Sequence, residues 1–315
     1  FRQSSGGGGD AFIATFRTTS NNESITLPYA SNGTYSGTID WGDGTIVENS
    51  YANRAHNYAV SGDYDVTVLG ELKYIRFLNN PEALKIINIK NWGNNLILGT
   101  AGTSTNSQNS ANTFRGCKNL DITATDILDC STYITFKGFF MQDFNMQFNE
   151  SINTWNISNV TNMGSMFNAN YLFNQPLNNW NTSNVTDMSY CFYDARLFNQ
   201  PLNNWNTSKV ASFQAMFFGA NIFNQDISLW DFSGANDVNS FSDFMRQKSQ
   251  ANYNANYYDN LLIKWASDPS LGGLQPNIIG TINMGSIKYT ANGAAARQSI
   301  LDNNKAVTIT DGGQI

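Results

Sequence analysis

Charge is what this chain has least of: Asp, Glu, Lys and Arg supply 13% of its 315 residues, against ~25% in an average soluble domain. Asn, Ser, Thr and Gly cover the surface instead, and such a surface binds by hydrogen bonding and stacking. The balance is acidic, with 24 Asp and Glu against 18 Lys and Arg. Nucleic-acid affinity comes from cations that displace condensed counterions, so nucleic acid is excluded as a partner. Histidine occurs once, at His56. HExxH, GxSxG, P-loop and Cys/His-cluster patterns are all missing, which leaves no metal centre, cofactor site or activated nucleophile to read. No run approaches the ~18 apolar residues of a membrane span, and no basic amphipathic segment occurs, so membrane insertion is excluded too.

Cysteine is scarce. Cys117, Cys130 and Cys191 are odd in number and fall where neighbouring repeats carry apolar residues. They are expected to be buried thiols, with a Cys117 to Cys130 bridge as the open alternative. The chain starts at Phe1 and not at Met, as expected of a processed product or of the ordered part of something longer, and no secretion signal is present to read.

Apolar residues are plentiful, at 41% with 13% aromatic, enough for a packed core and for two or three domains. Much of that content is repeated. Phe148, Phe173, Phe198 and Phe223 lie 25 residues apart, and so do Trp155, Trp180, Trp205 and Trp230. FNQPLNNWNTSNVTDMSYCF runs from Phe173 and FNQPLNNWNTSKVASFQAMF from Phe198. FNQDISLWDFS, from Phe223, is a looser copy. A fixed period of this length marks a solenoid, whose units bury their apolar faces only against one another. Function is then sought on a surface and not in a pocket.

Ahead of the repeats, residues 1–10 (FRQSSGGGGD) read as a flexible arm. The Gly6-x-Gly8-x-x-Ala11 string has no strand before it and no helix after it, so it is not a dinucleotide site. Residues 11–70 change to short runs rich in Thr, Ile, Val, Tyr and Phe, the pattern of a small β-sandwich. Asp40-Trp41-Gly42-Asp43-Gly44-Thr45, then His56-Asn57-Tyr58 and Tyr64-Asp65-Val66-Thr67-Val68, resemble a PKD domain (polycystic kidney disease repeat). That resemblance implies an immunoglobulin-like sandwich used as a spacer or adhesion module outside cells or on particle surfaces. Asp43-Gly44 supplies a tight turn. Asp40 and Asp43 are oxygen donors of the kind calcium takes, but the spacing of a calcium loop is missing. His56 reads as a packing residue.

From residue 71 the runs LKYIRFLNN and ALKIINIKNWGNNL, with Leu84, Ile87, Ile89 and Trp92, read as first irregular coils of the stack. The units from Phe173, with Phe114-Arg115-Gly116-Cys117-Lys118-Asn119-Leu120 before them, resemble the BspA-type leucine-rich repeats of bacterial surface proteins and some phage proteins. The resemblance implies a leucine-rich-repeat-like solenoid over residues 71–248, an adhesive role and no enzymatic activity. Residues 249–315 are expected to cap it, with helices at Asn254–Ser267 and Asn292–Asn303 and a strand at Ala306–Thr310. The predicted fold class is thus mostly β with short helices.

Within a unit, Leu177, Trp180, Val185, Met188 and Phe192 suggest a strand around Trp180, a turn at Ser183-Asn184 and helical turns to Phe192. Strand alternation then turns two rows outward: Thr154, Asn179, Asn204 and Leu229, and Asn156, Asn181, Asn206 and Asp231. Thr154, Asn156, Asn179, Asn181, Asn204, Asn206 and Asp231 are the candidate ligand face, although amide rows also support stacked sheets without any ligand. The Met163 and Met188 row is packing, and the Asn-x-Ser sequons recur only because the unit does. Asp187, Asp194, Asp226 and Asp231 come singly, short of the convergent acid and base that a glycosidase needs. The expected function is a non-enzymatic adhesion module on a cell or particle surface, with a glycan or protein as partner. The alternative is a phage virion protein (head fibre, decoration or tail component) with a host-attachment role, joined to other virion or surface proteins through the N-terminal arm and, as a fibre, a candidate homotrimer.

Overall fold

The computed structural model describes residues 10–101, 108–143, 147–148, 152–235, 238–267, 280–303 and 307–315. Of the expected arm, all but Asp10 lies outside them. Strands come first: β1 Phe12–Thr18, β2 Glu23–Thr26, β3 Tyr29–Tyr35, β4 Thr38–Asp40, β5 Ile46–Glu48, β6 Ala55–Tyr58, β7 Gly62–Leu69, β8 Leu72–Ile75 and β9 Ile86–Asn91. Short strands follow: β10 Leu96–Leu98, β11 Thr100–Ala101, β12 Gln108–Asn109, β13 Asp121–Ile122, β14 Tyr133–Thr135 and β15 Gln147–Phe148. The C-terminal part has α1 Ala255–Ser267, β16 Gly280–Asn283, α2 Ala291–Asn303 and β17 Val307–Thr310. Among the described residues α-helix is confined to α1 and α2, so the protein is mostly β with short helices.

Period-two burial builds the first sheet. Phe12, Ala14 and Phe16 of β1 are buried while Arg17 is exposed. Antiparallel pairing sets Arg17 opposite Asp63 of β7, where the two form a 2.7 Å ion pair. The β4–β5 turn is built by two carboxylates: Asp40 Oδ1 accepts from Gly42 N at 2.9 Å and Asp43 Oδ1 from Thr45 N at 3.0 Å. Gly42 and Gly44 there have φ of +79° and +94°, a region costly for any residue with a Cβ. The sheet order is β15-β13-β9-β1-β7-β4-β5. Its antiparallel half passes through β1 and β9 into parallel strands β13 and β15, so the sheet runs on past residue 70.

Beyond β15 the units stack in register. Single parallel bridges join Thr135 to Asn162, Asn162 to Asp187 and Asp187 to Ser212. From Met188 onward alternate amides leave for the next unit. Met188 N donates to Ser212 O, Tyr190 N to Gln214 O, Phe192 N to Met216 O and Asp194 N to Phe218 O, at 2.6–3.0 Å. The amides between them close tight turns within the unit: Cys191 N to Met188 O, Tyr193 N to Tyr190 O, Ala195 N to Phe192 O. Tyr190 and Asp194 take φ of 57° and 56°, and Ser165, Ala169, Ala215 and Gly219 repeat that conformation in the units on either side.

This ribbon of turns is not the short helix expected from the Val185, Met188, Phe192 spacing, because left-handed residues four apart stop any helix from propagating. Nor does a strand lie at Trp180; the bridge falls at Asp187. Trp180 N closes a turn onto Leu177 O at 3.1 Å, which mimics the spacing of a strand edge in sequence. In the first coils Ile86, Ile89 and Trp92 are buried, whereas Leu84 is 53% exposed and Ile87 only half-buried.

The interior is aromatic. Trp180, Trp205 and Trp230 are buried and stack with planes within 6° of parallel, and Trp155, also buried, meets Trp92 edge-on. Each indole of the stacked set donates to a carbonyl of the preceding unit: Trp180 to Ile152, Trp205 to Leu177, Trp230 to Leu202, at 2.8–2.9 Å. Polar indole nitrogens are thereby satisfied inside an apolar column. The C-terminal part closes against this column. Tyr258, Leu261, Leu262 and Trp265 form the buried face of α1, and Trp265 packs edge-on against Phe232 and Phe241. Asn254 and Thr290 cap α1 and α2 through bonds to the amides two residues on.

Candidate ligand-binding face

Thr154, Asn156, Asn179, Asn181, Asn204 and Asn206 are exposed and Asp231 is half-buried. Leu229, in the first of the two rows, is 74% exposed. The cause is turn chemistry and not strand alternation. Asn156, Asn181, Asn206 and Asp231 each accept, through Oδ1, the amide of Ser158, Ser183, Ser208 or Ser233 two residues later, at 2.8–3.2 Å. Their side chains shape the loop after each tryptophan while remaining at the surface.

The amide ladders lie on other rows. Asn179 N donates to Asn153 Oδ1 and Asn204 N to Asn178 Oδ1, both at 2.9 Å, and Asn178 Nδ2 bonds Asn203 Oδ1 at 3.2 Å. The Asn of each FNQ motif makes a second ladder. Asn199 N donates to Asn174 Oδ1, Asn224 N to Asn199 Oδ1 and Asn254 N to Asn224 Oδ1, at 2.8–2.9 Å. Gln200 and Gln225 reinforce it by bonding back to Asn174 and Asn199. The recurrence of Phe-Asn-Gln was the available signal for this ladder. These bonds fix the backbone under the candidate rows through Asn and Gln side chains that lie outside those rows.

Ring spacing gives the shape of the face. Equivalent rings in successive units are separated by the length of the unit step at their position. That step is 4.6 Å at Tyr193 and Phe218, 5.6 and 5.7 Å along Phe167, Phe192 and Phe217, and 6.4 and 6.2 Å along Trp180, Trp205 and Trp230. The units therefore fan open toward the tryptophan edge, which carries the candidate rows.

Away from this face, the single histidine and the first turn's carboxylates are spent on structure. His56 Nε2 meets Asp43 Oδ2 at 2.7 Å and its ring stacks on Trp41. Burial pushes the Asp43 carboxyl up, but bonds from His56 and Thr45 outweigh it and hold the group below its ordinary value. Asp40 and Asp43 are thus turn formers, and no cluster of three or more His, Cys, Asp or Glu suited to a metal occurs among the described residues. Cys117, Cys130 and Cys191 are buried thiols, and burial pushes Cys117 and Cys191 well above the ordinary thiol range.

One interior column changes chemistry from unit to unit. The bonds Ala169 N to Tyr193 O, Asp194 N to Phe218 O and Gly219 N to Arg246 O align Asn170, Ala195, Ala220 and Lys248. Lys248 is 2% exposed, donates to Phe223 O at 2.6 Å and Asn221 O at 3.2 Å, and has its pKa drawn down to about 7 by burial.

The family described as "Mycoplasma protein of unknown function, DUF285" matches residues 134–257, the stretch that holds the stacked units and the start of α1. No curated protein and no solved structure matches the chain.

Proposed function

We propose that the protein is a non-enzymatic binding module of a cell or particle surface. In this reading the stacked units form a leucine-rich-repeat-like solenoid of BspA type, carried on an immunoglobulin-like, PKD-type spacer. Support for the architecture comes from the parallel bridges at matching positions of successive units and from the antiparallel sheet that leads into them. Support for binding comes from one observation above all: Asn and Thr side chains sit exposed at equivalent places on units whose backbone is pinned by separate amide ladders. A rigid, hydrogen-bonding face of low charge suits glycans or polar protein patches. No helix of the described residues is long and apolar enough to cross a membrane.

The test is a glycan array combined with capture from host-surface extract. Binding that weakens on Asn181→Asp and Asn206→Asp, which keep the turn-forming oxygen but remove the outward amide, supports the reading. Silence in both assays refutes it.

A further inference from the structure

The fourth unit departs from its predecessors where departure is not needed for stacking. Units two and three read Phe-Asn-Gln-Pro-Leu-Asn-Asn-Trp; the fourth reads Phe-Asn-Gln-Asp-Ile-Ser-Leu-Trp. Asp226 thus replaces Pro176 and Pro201, Ser228 replaces Asn178 and Asn203, and Leu229 replaces Asn179 and Asn204. These three of the four substituted positions line one groove of about 350 Å³, together with Asn203, Gln225 and Tyr257 of α1, while the fourth, Ile227 in place of Leu177 and Leu202, stays in the core.

The groove is held rigid. Asp226 Oδ1 accepts from Ser228 N and Oδ2 from Asn260 Nδ2, both at 2.9 Å, which ties the fourth unit to α1. Gln225 Nε2 is anchored on Asn199 at 2.9 Å, and Asn203 Oδ1 receives Asn178. Other polar atoms stay available: among the described residues Asn203 Nδ2, Ser228 Oγ and the Tyr257 hydroxyl bond to nothing in the chain. Leu229, 74% exposed, and the half-buried Tyr257 ring add apolar surface. Asp226 is the only charged group in the lining.

We infer that this groove, at the junction of the fourth unit and α1, binds a segment of an uncharged glycan. The inference rests on the proposed binding role and gives it a location and a ligand class. A sugar ring offers an apolar C–H face to Leu229 and Tyr257 and hydroxyls to Asn203, Ser228 and Asp226, and a buried apolar contact with a few fixed polar groups is the usual make-up of a small-ligand site. An acidic sugar or a phosphate meets Asp226 with no lysine or arginine beside it, so the groove selects against anions.

The full chain is applied to a printed array of neutral and sialylated or uronate-containing glycans, and any neutral oligosaccharide bound is titrated by calorimetry. Leu229→Asn restores the residue that units two and three carry, so it perturbs folding little, and Tyr257→Ala removes the ring. The expected result is binding to neutral glycans that weakens about tenfold or more with each variant, at unchanged urea midpoint for Leu229→Asn. Three results overturn the inference: no neutral glycan bound, preference for the acidic set, or affinity unchanged in both variants. Loss of binding on Asn181→Asp and Asn206→Asp with Leu229→Asn unaffected also overturns it, while leaving the broader reading in place.

Discussion

Lys248 makes the stability of this protein depend on pH in a direction that can be worked out. A folded pKa of about 7 against ~10.4 in the unfolded chain corresponds to about 4–5 kcal/mol at ~1.36 kcal/mol per pH unit. That figure is the net cost of holding the ammonium in the fold, its bonds to the Phe223 and Asn221 carbonyls included. The folded pKa lies below the unfolded one. The unfolded state therefore holds more protons between pH ~7 and ~10, the penalty is complete below that window, and this contribution to stability rises with pH across it. Cys117 and Cys191 act the other way, since burial raises them and they ionise only on unfolding above pH ~8.5. A comparison with Lys248→Met cancels them. That variant also leaves two carbonyls without a donor, a pH-independent cost of ~1–3 kcal/mol. Urea midpoints of both proteins at pH values from ~6 to ~9 are the assay. The stability difference should move in favour of wild type by ~2 kcal/mol from pH ~7 to ~9. A difference that stays constant over that range refutes the buried-ammonium reasoning.

Removing Trp205, packed between Trp180 and Trp230, by Trp205→Ala should cost ~3–5 kcal/mol in urea unfolding, whereas Leu229→Asn should stay within ~0.5 kcal/mol. Asn199→Ala strips the acceptor used by Asn224 N and Gln225 Nε2 and should cost ~1–3 kcal/mol, with early hydrogen exchange at the Asn224 amide as the local readout. Ellman's reagent should leave Cys117, Cys130 and Cys191 unlabelled in the native protein and label all three in denaturant; fast native labelling of any one contradicts its burial.

The repeat period, the inward tryptophans and the C-terminal helices could be read from the sequence because burial imposes a spacing that side-chain type reveals. The elements inside a unit could not. Leu177 and Trp180 are three apart because a tight turn joins them, and Val185, Met188 and Phe192 keep helix-like spacing although every second amide leaves for the neighbouring unit. Nothing in the identity of Tyr190, Ser165 or Ala215 announces a positive φ, and Asp194 only tolerates one. The candidate rows proved exposed for a reason other than the one foreseen, since Asn156, Asn181 and Asn206 close Asx turns onto the backbone amide two residues later. The polar column of Asn170 and Lys248 stayed hidden because extra residues between Phe232 and Phe241 break the 25-residue count that aligns the other units.

The unequal ring spacing bears on how such an array grows. A duplication that added whole copies of the unit would lengthen the edge at Tyr193 and Phe218 by less than the tryptophan edge each time, so the molecule would bend into an arc with the indoles on its outer rim. Contacts offered along that rim diverge as copies accumulate. A partner that touches several of them at once must itself be supple or curved to match, whereas a short rigid one is confined to a single gap.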